Sequence, residues 1–369
     1  MNAKSGLEIN ELFFRDMIQP LLAAHFPALP YAAARLGTGS DVLGYDDETS
    51  RDHDWGIRQQ LFLRAEDHAQ VALQLDDFFR ARLPVAYAGA AVHFAPPNAE
   101  GTRLPEAGER GNVAHRLEIV TVAGFFRDIL GIDPLKPWPP QDWVVVPQQQ
   151  LLSVTAGRIF HDEIGELSRL RQKFSYFPDQ VWRYLLAAQW GRIGQEEHLL
   201  GRAGMVGDEL GARIIAARLA SDLMMITFFL SRQYAPYPKW FGTAFSRLEG
   251  AAELQSVLQE LLAAPTPRRR EESLLAGCRL LLERQNEMEL TTPLDSAGYY
   301  FFDRPYRVIG AGRIVQALQA TITDPAVHVL HPHLGSIDQI SDNTDLRSNP
   351  LLFSQLHALH QPLDQEIVS

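Results

Sequence analysis

Gly37-Thr38-Gly39-Ser40-Asp41-Val42-Leu43-Gly44-Tyr45-Asp46-Asp47-Glu48-Thr49-Ser50-Arg51-Asp52-His53-Asp54 is the stretch that decides how this chain is read. A glycine–serine turn opens it, and eleven residues separate Ser40 from an Asp-x-Asp pair. Gly37 and Gly39 permit positive φ and close backbone approach. The N–H groups that follow, with the Ser40 hydroxyl, can donate to phosphate oxygens. On a strand, alternation points Asp52 and Asp54 the same way and His53 the other. Two carboxylates side by side repel unless a divalent cation lies between them, and Mg²⁺ suits one or two carboxylates plus substrate phosphates. Triphosphate at one end and metal at the other is the equipment of phosphoryl chemistry, which needs positioning and charge neutralisation above all.

The flanks supply a matching context. Leu7 to Phe26 has helical spacing with a kink expected at Pro20. Tyr31 to Leu36 reads as a buried strand leading into the turn, and Ser40 to Tyr45 as a short helix with Ser40 as N-cap. Asp54 to Leu63 reads as a strand, Glu66 to Arg82 as a helix, and Pro84 to Phe94 and Leu117 to Val122 as further strands. Gly131 to Gln150, with five prolines, reads as an irregular connector. Beyond it Ile215, Leu219, Leu223, Ile226 and Leu230 form one face of a long helix, with Val181 to Leu200 as its partner. Arg313 to Ile322 is a further helix. The expected fold class is α+β: a mixed-sheet domain over 1–135, a helical domain over 150–262 and a smaller C-terminal region over 271–369.

Gly39-Ser40, the eleven-residue gap and Asp52-His53-Asp54 resemble the signature of the polymerase-β-like nucleotidyltransferase superfamily. LGTGSDVLGYDDETSRDHDWG, VTAGRIFHD, LLAAQWGRIGQEE and YAPYPKWFGTAF also resemble a bacterial family of this fold known mainly as a domain of unknown function. The resemblance implies a nucleotidyltransferase-fold domain followed by a helical one, with no established substrate. Carried onto this chain, it implies that Gly39 and Ser40 hold nucleotide phosphates and that Asp52 and Asp54 ligate metal. The superfamily often adds a third carboxylate on a later strand, and Glu118 in HRLEIVTV is the match, with glutamate in place of the commoner aspartate. Asp128 competes, in a segment that reads as helical.

The expected activity is Mg²⁺-dependent transfer of a nucleoside monophosphate, with AMP from ATP as the first choice among nucleoside triphosphates. The acceptor is a hydroxyl of a small molecule or protein. The reaction requires Glu118 to face the metal pair. Were it turned into the core or solvent, a nucleotide-binding regulatory protein without turnover would be the better reading. Lys239, in QYAPYPKWFGTAF, is a further candidate for nucleotide contact, since a lysine beside aromatics can neutralise phosphate charge while a ring stacks on the base. A packed helix connection is the plain alternative. Arg183, Gln189 and Arg192 are weighed as cleft-lining residues.

Asp46, Asp47 and Glu48 read as a solvated loop, Asp41 as a helix-start acid, Arg51 as a partial counter-charge and Arg268-Arg269-Arg270 as an exposed linker. His161-Asp162-Glu163, read as helical, does not converge on a metal. A net charge of −11 argues against a broad grip on nucleic acid. One cysteine, Cys278, excludes an intrachain disulfide. The N-terminal residues lack a signal-peptide core, and the most apolar stretch, Leu219 to Leu230, contains Asp222 and is too short for a bilayer. A cytoplasmic protein without a membrane partner is expected.

Overall fold

The computed structural model describes residues 4–49, 55–99, 101–108 and 111–360. The chain divides into two units, 1–136 with 150–175, and 137–149 with 176–369.

The first unit opens with α1 (Gly6–Phe13), a π-helical turn over Phe14–Ile18, and α2 (Gln19–His25). Pro20 has no N–H for an α-helical bond. The chain stays helical by winding the π turn just before it, where a kink was expected. Next come β1 (Tyr31–Arg35), α3 (Ser40–Leu43), β2 (Arg58–Leu63) and α4 (Ala65–Arg82). The stretch read as one strand over Pro84 to Phe94 is instead a hairpin of β3 (Ala86–Tyr87) and β4 (Ala90–Ala91). Ala88 and Gly89 both have positive φ there, the backbone of a tight two-residue turn. β5 (Arg116–Thr121) and α5 (Val122–Leu130) follow.

The proline-rich stretch read as irregular holds α6 (Pro140–Val145) and the start of α7 (Gln148–Thr155). Pro140 is the first residue of α6, where its missing N–H costs nothing. β6 (Arg158–Asp162) and α8 (Glu166–Lys173) complete the first unit. The tract His161-Asp162-Glu163 is therefore strand and strand end, not helix. His161 lies tilted against the Tyr31 ring at 4.5 Å between centroids, while the Asp162 carboxylate accepts from Gly165 and Ser168 at the start of α8.

The four main strands form one mixed sheet in the order β5-β2-β1-β6. β1 is antiparallel to β2 and β6, and β2 is parallel to β5. One face carries Leu61, Leu63 and Leu117 and packs with Phe13, Phe14, Leu22, Leu75 and Phe79. Burying such a side chain contributes about 1.5–3 kcal/mol. The other face carries Arg58, Gln60 and Phe62, with Phe62 edge-on to Phe125 of α5 at 5.4 Å.

The second unit is mostly helical: α9 (Asp179–Met205), α10 (Glu209–Leu230), α11 (Pro238–Phe245), α12 (Ala251–Ala263) and α13 (Pro267–Glu287). A short hairpin of β7 (Tyr299–Tyr300) and β8 (Arg307–Val308) precedes α14 (Ala311–Gln319). Leu219, Leu223, Ile226 and Leu230 of the predicted stripe are buried. Glu197 accepts from the amides of Ile309, Gly310 and Ala311 and so closes the N-terminus of α14. Arg270 is not an exposed linker residue, because it is buried and paired with Glu209 at 2.6 Å. Among the described residues, no helix is long and apolar enough to cross a membrane.

Candidate functional site

β1 delivers the chain into the glycine turn at Leu36. The turn is held from below by a buried ionic cluster. Arg35 Nε and Nη2 donate to the two oxygens of Asp41 at 2.7 and 2.9 Å, and Arg58 Nη2 adds a contact at 3.1 Å. Burial pushes the Asp41 carboxyl up, but Arg35 and then Arg58 outweigh it and hold it below the ordinary value. Asp41 thus faces inward, not toward a ligand over the turn. Gly39 has φ +139°, and a Cβ there would lie 2.2 Å from Asp41 Oδ1, so only glycine fits above the cluster. Gly37 N–H donates to the Ser153 carbonyl at 2.9 Å. Gly39, not Ser40, is the N-cap of α3, and its four residues begin at Ser40.

Asp46 departs from the solvated-loop reading. Its Oδ2 accepts from the Gly6 amide at 2.7 Å and from Trp55 Nε1 at 3.2 Å, tying the loop to the start of α1. Asp47 and Glu48 are exposed. Asn10 of α1 is fully buried. Its side chain donates to Gly56 O at 3.1 Å and accepts from Arg58 N at 2.9 Å, pinning the entry to β2.

Glu118 stands opposite Gln60 in the parallel register of β2 and β5. Gln60 Nε2 donates to Glu118 Oε2 at 3.0 Å, while Gln60 Oε1 accepts from Leu36 N at 2.9 Å. The Glu118 carboxylate is therefore linked through one side chain to the entrance of the glycine turn. Glu118 is exposed to solvent, and the pair it is expected to face, Asp52 and Asp54, lies outside the described residues. Asp128, the competing acid, is exposed on α5.

Gln60 thus links Glu118 of β5 to Leu36, three residues before Gly39. Asp52, Asp54 and Arg51 lie outside the described residues. Among the described residues no three His, Cys, Asp or Glu side chains form a metal-holding group. Lys239 is exposed on α11 of the second unit, with Nζ 5.0 Å from the ring of its neighbour Trp240. Arg183, Gln189 and Arg192, weighed as cleft residues, are engaged inside the second unit. Arg183 donates to Leu290 O and Thr321 Oγ1, and Gln189 and Arg192 both donate to Asp222. Arg35, Arg58, Gln60 and Asn10 escaped sequence reading, and Asp41 reads there only as a helix-start acid. One signal was available, since Arg35 is the sole charge in the apolar run YAAARL, and a buried arginine calls for a carboxylate.

Residues 143–241 match a family model described as a domain of unknown function (DUF4037). The matched stretch includes VTAGRIFHD, LLAAQWGRIGQEE and the start of YAPYPKWFGTAF, but neither the glycine turn nor Glu118. No curated protein matches the chain. Among solved structures, a nucleotidyltransferase-like protein from Exiguobacterium sibiricum 255-15 aligns over 84% of this chain and 89% of its own, at 11% identity and a TM-score of 0.35. A likeness of that size carries no argument about fold or activity.

Proposed function

We propose that the chain is a nucleotidyltransferase that moves a nucleoside monophosphate, AMP from ATP, to a hydroxyl of a small molecule or protein, the hydroxyl oxygen attacking the α-phosphorus and pyrophosphate leaving. The observation that supports it most is the shared Gln60 contact, which sets an exposed carboxylate, Glu118, beside the entrance of a Gly-x-Gly-Ser turn. Backbone N–H groups of the turn and the Ser40 hydroxyl hold phosphate oxygens. The Arg35–Asp41–Arg58 cluster keeps the turn rigid, so no reorganisation is needed when a ligand arrives. Asp52, Asp54 and Glu118 would hold Mg²⁺. When bound, that ion neutralises phosphate charge and polarises the phosphoryl group under attack. Alternatively, Glu118 would serve as the base that takes the proton of the acceptor hydroxyl.

The test is incubation with ATP labelled on the α-phosphate, Mg²⁺ and a mixed extract of metabolites and proteins as acceptors. Transfer of label by the wild type and its loss in Asp54→Asn and Glu118→Ala is the expected result. Equal labelling by all three would remove the assignment. Nucleotide binding without label transfer would favour the regulatory binding protein.

A further inference from the structure

Resting on that reading, we propose that Gln60 is a positioning residue: it sets the Glu118 carboxylate and couples it to the glycine turn. Gln60 is buried at 3% exposure, in the middle of β2 on the face that also carries Arg58. A polar side chain so buried must have both ends of its amide satisfied. Its two partners here are the Leu36 amide, one residue before Gly37, and the Glu118 carboxylate.

The chemistry of the two partners selects glutamine. The Leu36 N–H needs an acceptor and the carboxylate needs a donor. A carboxamide offers one of each on a single rigid plane. Glutamate at this position would set a second negative charge against Glu118. An apolar residue would strand a buried N–H. With Oε2 of Glu118 held by Gln60, its other oxygen is left for a ligand. A displacement of the backbone at Leu36, where the turn begins, moves the Gln60 amide plane and with it the carboxylate. Nucleotide seated on the turn and the carboxylate that serves it are thereby set together.

The test is a double-mutant cycle on Gln60 and Glu118 in the full chain, using Gln60→Met and Glu118→Ala. The first readout is hydrogen exchange at the Leu36 amide without any nucleotide. Removing the Glu118 carboxylate is expected to speed that exchange by roughly fivefold or more, and to add nothing once Gln60 is methionine. Glu118 is exposed, so its variant folds, and this arm stands even if Gln60→Met does not. Leu36 exchange indifferent to Glu118 would overturn the proposal.

The second readout is binding of a non-hydrolysable ATP analogue with Mn²⁺. Gln60→Met is expected to weaken it by about tenfold when Glu118 is present and by less than about twofold in Glu118→Ala. Equal losses in both backgrounds would also overturn the proposal. If the wild type binds no Mn²⁺–nucleotide, the functional reading fails on its own, and Leu36 exchange alone decides whether Gln60 couples the two elements.

Discussion

Gln60 and Glu118 are register partners on adjacent parallel strands, joined by a 3.0 Å hydrogen bond, yet one is buried and the other exposed. The asymmetry separates support from ligand contact. It predicts unequal stability costs. Gln60→Leu leaves the buried Leu36 N–H unsatisfied and should cost about 1–3 kcal/mol. Glu118→Ala takes one hydrogen bond from the Gln60 amide on the exposed side and should cost less, about 0.5–1.5 kcal/mol. Urea unfolding of the two variants decides this, and a larger loss in Glu118→Ala would contradict the assignment of roles.

Asp41 should be the acid on which the turn depends. Removing it takes the carboxylate away from the buried Arg35 guanidinium and the partly buried Arg58, a change that costs about 3–5 kcal/mol in comparable pairs. Asp41→Ala should lower the unfolding free energy by that order at neutral pH. The folded carboxyl titrates below the ordinary 3.8, so its contribution is fully present above that value and disappears as pH falls through the folded one. The gap between wild type and variant should close below about pH 4. A gap independent of pH would remove the ionic explanation.

Asn10 is predicted to hold the start of β2 from a helix some fifty residues earlier in sequence. Asn10→Leu leaves the Gly56 carbonyl and the Arg58 amide without their partner, at about 1–3 kcal/mol for each group. Hydrogen exchange at Arg58 should rise selectively. Protection unchanged at Arg58 would show that Asn10 does not anchor the strand.

His357 should make the second unit sensitive to pH near neutrality. Its ring nitrogen lies 2.9 Å from Asp142 Oδ1, and that hydrogen bond holds the imidazole above 6.5, against burial. Stability from this pair is therefore complete below 6.5 and is lost as pH rises through the folded value. His360, which burial pushes down to about 4, acts in the opposite sense, with stability falling as pH drops below 6.5. Comparing wild type with His357→Asn leaves the burial and the His331 charge that lower His360 in both proteins, and removes only the smaller push from His357. The variant should lose less stability on going from mildly acidic to mildly alkaline pH, and parallel thermal curves would exclude the pair as the cause.

Local pattern exposed the elements whose neighbours are close in sequence. The α10 stripe and the β-branched run of β5 were legible because burial on one face imposes a period. β6 was not, since RIFHD is short and half polar, and it becomes a strand only by pairing with β1 across more than a hundred residues. The Pro139-Pro140 pair read as a breaker because proline's role reverses at the first position of a helix. The candidate site divides the same way. Gly39 and Ser40 could be picked out by residue type and spacing, and Glu118 only as what the superfamily resemblance implies. Asn10, Gln60 and the inward turn of Asp41 depend on tertiary partners, which no local pattern encodes.

The most direct test of the central claim is calorimetric titration of a non-hydrolysable ATP analogue into wild type and Asp52→Asn, with and without Mg²⁺. The account predicts Mg²⁺-dependent binding to the wild type, weakened by about tenfold or more in the variant, as expected for loss of a metal ligand. Binding that ignores both Mg²⁺ and Asp52, or no binding at all, would contradict it.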